Sequence, residues 1–93
     1  MNVVFKARAI DDLEWFERYY AEIFPDGSKR AERQFFKTKQ ILKDFPDIGR
    51  PVKTKSQREY VVPGIPFCFV YRRKSNTIEV VRVLDLRSNR PQK

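Results

Sequence analysis

Residues 58–71 read REYVVPGIPFCFVY, and this stretch decides the fold. Two runs rich in aromatic and β-branched residues, 58–62 and 67–71, flank a proline- and glycine-containing turn at residues 63–66. The second run is almost wholly apolar, as in a central strand that is covered on both faces. A polar turn at residues 74–76 leads into a third β-branched run at residues 77–84. Three strands joined by short turns predict an antiparallel meander.

Upstream of this meander, the apolar spacing is that of helices. Apolar side chains recur at three- and four-residue steps, which places them on one stripe of a first helix: Ile10, Leu13, Phe16, Tyr20 and Ile23. The same spacing gives the inward stripe of a second helix: Ala31, Phe35, Thr38, Leu42 and Phe45. We expect Asp26 or Ser28 to cap this second helix and Pro46 to end it. A short apolar run at residues 3–5 predicts one strand before the helices.

The predicted class is therefore α+β, with the element order β-α-α-β-β-β. A helical hairpin packs on one face of a small, mainly antiparallel sheet, and the basic loop at residues 53–56 borders the open face. A chain of 93 residues has room for one domain. We expect a single domain over residues 1–93, with a frayed polar tail at residues 88–93.

Composition excludes several classes of function. The chain has no histidine and one cysteine, so it cannot form a Ser-His-Asp or Cys-His catalytic group or an internal disulfide. The same shortage leaves no zinc site, and we expect neither a metal nor a cofactor. No apolar run approaches the ~20 residues of a membrane helix, and no secretory signal is visible. These features predict a cytoplasmic protein without a membrane partner.

Positive charge is concentrated in the later part of the chain. The formal net charge is +8. Residues 1–26 have a balance of −3, residues 27–50 a balance of +4, and residues 51–93 a balance of +7. This polarity suits an anionic partner such as nucleic acid or an acidic protein segment. The alternative is a basic surface that is only solvated.

Four residues of the β-rich region have two possible roles each. Gly49 would give the backbone φ freedom where the chain leaves the second helix, or it is an ordinary loop glycine. Arg58 and Glu59 point to opposite faces of a strand, where each is a contact or a surface charge. Arg82, inside an apolar strand, requires a partner, and an ion pair with Glu59 or Glu79 competes with anion binding. Cys68 is expected to be a small core residue.

Several short motifs resemble the RelE/ParE superfamily of bacterial toxins from type II toxin–antitoxin systems. They are Ala9-Ile10-Asp11-Asp12-Leu13, the joint Pro46-Asp47-Ile48-Gly49-Arg50, the stretch from Arg58 to Phe67, Val70-Tyr71-Arg72, and Val80-Val81-Arg82-Val83-Leu84. Their order and spacing cover nearly the whole chain. The resemblance implies the same fold as the periodicity does.

The resemblance also implies two alternative mechanisms. RelE-like members cleave messenger RNA on the ribosome, whereas ParE-like members poison DNA gyrase without a catalytic site. Where many relatives have a histidine after the last-strand motif, this chain has Asp85, and no aromatic residue follows Tyr71. Both departures favour the ParE-like branch, so we expect a gyrase inhibitor and not an enzyme. The alternatives are a ribosome-dependent endoribonuclease and a degenerate toxin that only binds its antitoxin.

The resemblance further implies a cognate antitoxin, ParD-like or of another class, with an acidic amphipathic C-terminal segment. Operator DNA would be reached only through the antitoxin complex. The residues expected to bind the target or partner are Arg58, Arg72, Arg73, Lys74, Arg82, Arg87 and Arg90. For the ribonuclease alternative, cations and a base would come from Lys53, Lys55, Arg58, Glu59, Asp85 and Arg87.

Overall fold

The computed structural model describes residues 1–53 and 56–87, and its elements follow the predicted order with one addition. The elements are β1 (Asn2–Phe5), α1 (Ala7–Ile23), α2 (Pro25–Asp44), β2 (Arg50–Pro51), β3 (Gln57–Val61), β4 (Phe67–Lys74) and β5 (Thr77–Asp85). The expected frayed tail, with Arg90, lies outside the described residues, as does Lys55. No helix in the described ranges has the length and apolar character needed to span a bilayer.

The sheet has five strands in the order β1-β5-β4-β3-β2. β1 runs parallel to β5, and the other neighbours are antiparallel. This arrangement confirms the predicted α+β class and the meander of β3, β4 and β5. The added strand β2 has two residues, which is too short for a period-2 pattern to appear in a sequence.

The core lies between the helices and one face of the sheet. Phe16 of α1 meets Phe67 of β4 edge to face at 5.3 Å between ring centres. Phe35 of α2 contacts Phe67 at 5.4 Å and Phe69 at 5.7 Å. The strand register places Glu59, Val70, Arg72 and Glu79 on the opposite face of the sheet. The helical hairpin therefore covers one face, as predicted.

A β-bulge in β5 keeps its apolar residues on the covered face. Val70 pairs with Arg82 but Tyr71 pairs with Val80, so Val81 is an extra residue in β5. Strict alternation would send Val80 and Val83 to opposite faces. With the bulge, both are buried, at 0% and 3% exposure.

Two details of the helices differ from the prediction. Ile10, Ile23 and Phe45 are 44%, 62% and 61% exposed, so they do not belong to the inward stripes. The buried stripe of α1 begins earlier, because the helix begins at Ala7, and it consists of Ala9, Asp12, Phe16 and Tyr20.

The predicted cap of the second helix is also wrong. α2 begins at Pro25, and its N-cap residue, Phe24, makes no side-chain cap hydrogen bond. Asp26 and Ser28 lie inside the helix. Proline suits the first helical position because its φ is already helical and its missing N–H has no partner to lose there. A single residue therefore separates the two helices.

Candidate functional surfaces

Asp85, at the end of β5, is held by its neighbours. Its side chain is 5% exposed. One carboxylate oxygen accepts a hydrogen bond of 3.2 Å from the Tyr20 hydroxyl, and the other accepts one of 3.0 Å from the backbone N–H of Arg87. The Arg87 guanidinium lies 3.4 Å from that second oxygen. Asp85 is therefore not an isolated acid, because three donors from Tyr20 and Arg87 surround its carboxylate.

An apolar cleft opens beside this cluster, between the helical hairpin and the turn from β3 to β4. Its lining includes aromatic and aliphatic side chains with two arginines: Tyr20, Phe24, Arg30, Ile65, Phe67 and Arg87. The Arg87 guanidinium lies over the Tyr20 ring at 5.4 Å and near the Phe67 ring at 6.0 Å, within the range of a cation–π contact. The cleft thus combines apolar walls with positive charge.

At the opposite end of the sheet, Tyr71 forms hydrogen bonds with the joint at residues 46–50, which follows α2. Its hydroxyl accepts a 2.9 Å hydrogen bond from the Gly49 N–H and donates one of 2.9 Å to the Pro46 carbonyl. Burial raises the pKa of this hydroxyl, which keeps it protonated and able to donate. Arg58 donates a 2.7 Å hydrogen bond to the Gly49 carbonyl and so braces the same joint.

Gly49 is needed for space and not for φ freedom. Among the described residues, the one glycine with a positive φ is Gly64. A Cβ atom at Gly49 would lie 2.7 Å from the Tyr71 hydroxyl and 2.8 Å from the Glu59 carbonyl oxygen. The backbone passes so close to β3 and β4 that no side chain fits.

Arg82 is structural, although its partner is not one of the predicted acids. Its guanidinium donates two hydrogen bonds, of 2.8 and 3.0 Å, to the Asp12 carboxylate of α1. One Asp12 oxygen also accepts from the Val83 N–H at 2.8 Å. The hydrogen bonds to Asp12 raise the pKa of Arg82, so this guanidinium is a fixed cation. Glu59 and Glu79, the expected partners, bind other arginines.

The remaining strand arginines are also engaged within the molecule. Arg72 donates to Glu79 at 2.7 Å, across the β4–β5 pair. Arg73 lies 3.6 Å from the Asp47 carboxylate, and Arg50 forms an ion pair with Glu59. Lys74 ends β4 as an exposed residue. Most arginines that the sequence assigned to partner binding thus have acids of their own.

The described ribonuclease candidates lie in separate groups: Asp85 and Arg87 are in contact at one end of the sheet, and Arg58 and Glu59 lie toward the other end. Asp85 pairs with Phe67 and Arg58 pairs with Tyr71, four residues further along β4. At ~3.3 Å per residue, these two positions are about 13 Å apart along the strand direction, and β4 lies between their two strands. Glu59 lies on the other face of the sheet beside Arg50, and Lys53 is exposed in the loop before β3. An acid and a base for cleavage must both reach one phosphodiester, and this arrangement separates them.

Cys68 takes no part in a reactive site. It is 3% exposed in β4, and burial raises the pKa of its thiol to about 11. The thiol is therefore protonated at neutral pH and is not a nucleophile. Within residues 1–53 and 56–87, no three metal-binding side chains gather around a common point.

Sequence reasoning missed three contributors to these surfaces. They are the Asp12 carboxylate, the Tyr20 hydroxyl and the exposed cations of α2. Tyr20 lies on the apolar stripe of the first helix, and that spacing says nothing about the partner of its hydroxyl. The repeat of the α2 cations at Lys29, Arg33 and Lys37 is a four-residue spacing that the sequence already contains.

Known proteins resemble this chain in sequence and in fold. Residues 3–89 match the family described as ParE toxin of type II toxin-antitoxin system, parDE. A Sinorhizobium fredii protein named "Putative toxin Y4kP" is 31% identical over 85 residues, which cover 91% of this chain and 88% of that protein. A solved structure described as a chromosomal ParDE TA system from P. aeruginosa has a TM-score of 0.78 at 21% identity. The match covers 92% of this chain and 96% of that one, and it supports the fold assigned above.

Proposed function

Because this chain belongs to the ParE toxin family of type II toxin–antitoxin systems, we propose that it stops growth by binding and poisoning DNA gyrase in the cytoplasm. The observation that carries this proposal is the state of Asp85. Its side chain is 5% exposed and its carboxylate accepts hydrogen bonds from Tyr20 and Arg87, an arrangement that favours a structural role over contact with an RNA hydroxyl. An inhibitor that acts by binding needs no catalytic base.

The separation of the nuclease candidates supports the same proposal. Arg58 braces the joint at Gly49, while Asp85 and Arg87 lie at the other end of the sheet. A binding inhibitor needs apolar anchors with a few exposed guanidinium groups. The cleft lined by Tyr20, Phe24 and Ile65, with Arg30 and Arg87, has these properties.

We propose that a cognate antitoxin neutralises the toxin by inserting an acidic, amphipathic segment into this cleft. The apolar walls suit one face of a helix or strand, and a carboxylate of the partner would meet Arg30 or Arg87. The Nε of Arg87 faces Asp85, whereas Arg30 makes no ion pair among the described residues. Sequence-specific contact with operator DNA belongs to the antitoxin in this complex.

Gyrase inhibition is tested with purified toxin in two parallel assays. One measures supercoiling of relaxed plasmid by gyrase, and the other measures cleavage of messenger RNA during translation. We expect loss of supercoiling and trapped gyrase–DNA cleavage products, with intact messenger RNA. Specific cuts at the ribosomal A site with normal supercoiling would instead identify the ribonuclease alternative.

The antitoxin proposal is tested by co-expression with the product of the adjacent reading frame. We expect growth to recover and a complex to copurify. Ile65→Asp and Arg30→Glu should each weaken that complex, whereas Arg18→Glu, on the exposed side of α1, should leave it intact. Equal affinity of all three variants would exclude the cleft as the docking site.

A further inference from the structure

The cations of the sheet and those of α2 differ in whether they form ion pairs within the chain. All the arginines within the described strands, Arg50, Arg58, Arg72, Arg73 and Arg82, form ion pairs with acids of the same chain. The exposed cations of α2 are Lys29, Arg30, Arg33, Lys37 and Lys43. None of these makes an ion pair within residues 1–53 and 56–87. The uncompensated positive charge of the described molecule therefore lies largely on one helix.

These cations lie on the outer side of α2, away from the sheet. The buried residues of the helix are Ser28, Ala31, Phe35, Thr38 and Leu42. At ~100° per residue, Lys29, Arg33 and Lys37 lie on the side opposite to that stripe, one turn apart. Arg30 and Lys43 flank them, and acids occur only at the ends, at Asp26 and Asp44, and on the edge toward α1, at Glu32. With a rise of ~1.5 Å per residue, the basic row from Lys29 to Lys43 is about 21 Å long.

The composition of this face indicates what kind of partner it fits. Protein interfaces are depleted of lysine and centre on buried aromatic or aliphatic residues. Here lysines dominate, and among the outward residues Phe36 is the one large apolar side chain, at 63% exposure. A duplex instead presents a continuous line of phosphates, one charge per ~1.7 Å of axis, which lysine and arginine neutralise without specific geometry.

From this charge distribution we propose that the outer face of α2, defined by Lys29, Arg33, Lys37 and Lys43, binds the phosphate backbone of duplex DNA. The contact is independent of base sequence and adds affinity to any complex that brings the toxin close to DNA. Arg30 lines the cleft beside Asp85 and is not counted in this face, so an antitoxin segment in the cleft and DNA on α2 can be bound at the same time. The proposal does not depend on the identity of the antitoxin or on the target of the toxin.

The experiment compares two triple variants that have the same net charge. One replaces Lys29, Arg33 and Lys37 with Gln, and the other replaces Arg8, Arg18 and Lys74, which are exposed cations outside α2. Binding of the full chain to a fluorescent duplex of mixed sequence is measured by anisotropy at several salt concentrations. For the α2 triple we expect the slope of log K against log[salt] to fall by about 2.7, which is ~0.9 for each of three lost phosphate contacts. The control triple should keep the slope of the natural sequence.

Three outcomes would overturn the proposal. They are no binding of the natural chain to the duplex, an equal loss of slope in both triples, and displacement of the duplex by poly-glutamate at matched charge concentration. The last result would assign the face to an acidic protein. Thermal unfolding of both triples checks that the exposed substitutions leave the fold intact, and a melting temperature close to that of the natural chain is expected for each.

Discussion

Asp12 is an acid in the buried stripe of α1, and the contact of that helix with β5 depends on it. Its carboxylate receives both guanidinium hydrogen bonds of Arg82 and the backbone N–H of Val83. Each oxygen of this buried carboxylate therefore has at least one donor. A charged group without those donors would be strongly unfavourable at 3% exposure.

We predict that Asp12→Ala lowers the free energy of unfolding by about 3–5 kcal/mol. The change leaves Arg82 charged and the Val83 N–H unsatisfied inside the structure. Urea denaturation followed by circular dichroism measures the loss. Asp11→Ala, an exposed neighbour on the same helix, is the control and should change stability by less than about 0.5 kcal/mol. Equal effects of the two substitutions would mean that the Arg82 pair contributes little.

Gly49 and Tyr71 are coupled because the Tyr71 hydroxyl lies in the space beside Gly49. We predict that Gly49→Ala costs about 1–3 kcal/mol, since its Cβ would meet the Tyr71 hydroxyl at 2.7 Å. Tyr71→Phe alone should cost a similar ~1–3 kcal/mol, because the Gly49 N–H loses its acceptor. In the double variant the close contact with the hydroxyl is gone, while those with the Tyr71 ring and the Glu59 carbonyl oxygen, both at 2.8 Å, remain. The total loss should therefore be smaller than the sum of the two separate losses. Strict additivity in this double-mutant cycle would argue against the coupling.

At the scale of elements, the sequence predicts most of what the structure contains. Runs of aromatic and β-branched residues between turn residues predict β3, β4 and β5. The inward stripes of the helices are predicted in part: Phe16, Tyr20, Phe35 and Leu42 are buried. Ile10 was assigned wrongly because a polar residue, Asp12, takes the inward position, and hydrophobicity alone does not predict a buried acid.

We predict that Leu42→Ala and Phe69→Ala each lower stability by ~2–5 kcal/mol, because both side chains are fully buried and leave cavities. Phe36→Ala is the matched control on α2. Its ring is 63% exposed, so the melting temperature should change little. Thermal unfolding of the three variants tests which side of α2 faces the core. A large loss of stability in Phe36→Ala would contradict the structure, because it would mean that the exposed side of α2 faces the core.

At the scale of the whole molecule, the candidate site was predicted by residue type and not by position. The sequence names Arg58, Arg82, Asp85 and Arg87 as candidate site residues, and their functional roles stay predictions. Their partners depend on register between segments far apart in the chain, such as Asp12 with Arg82 and Tyr20 with Asp85. A bulge at Val81 shifts that register by one residue, and no pattern in the sequence announces it.

The stability of the protein should depend on pH in part through the ionisation of Glu79. The hydrogen bond from Arg72 lowers the pKa of the Glu79 carboxyl from its ordinary value of 4.5, against the opposing effect of burial. A lowered folded-state pKa stabilises the protein above pH 4.5, and this contribution is lost as the pH falls through the lower value. We predict that the stability difference between the natural chain and Glu79→Gln shrinks as the pH decreases from 7 to 3. Urea titrations at several pH values measure it, and Glu14→Gln is the exposed control. A difference that stays constant over this range would contradict the assignment.

β5 is the last described element of the chain, yet it lies in the interior of the sheet between β1 and β4. It contributes Ile78, Val80 and Val83 to the core and pairs in parallel with the N-terminal strand. During synthesis, the residues before β5 leave the ribosome first. At that stage β1 and β4 lack the strand that lies between them in the sheet. Because such long-range pairing is completed only when its last partner is present, we expect the nascent chain to stay unfolded and harmless until β5 has emerged. A chain that ends at residue 76 should therefore be protease-sensitive and non-toxic. Translation thus delays the folding of the toxin. During this interval, a partner that is already folded can reach the nascent chain.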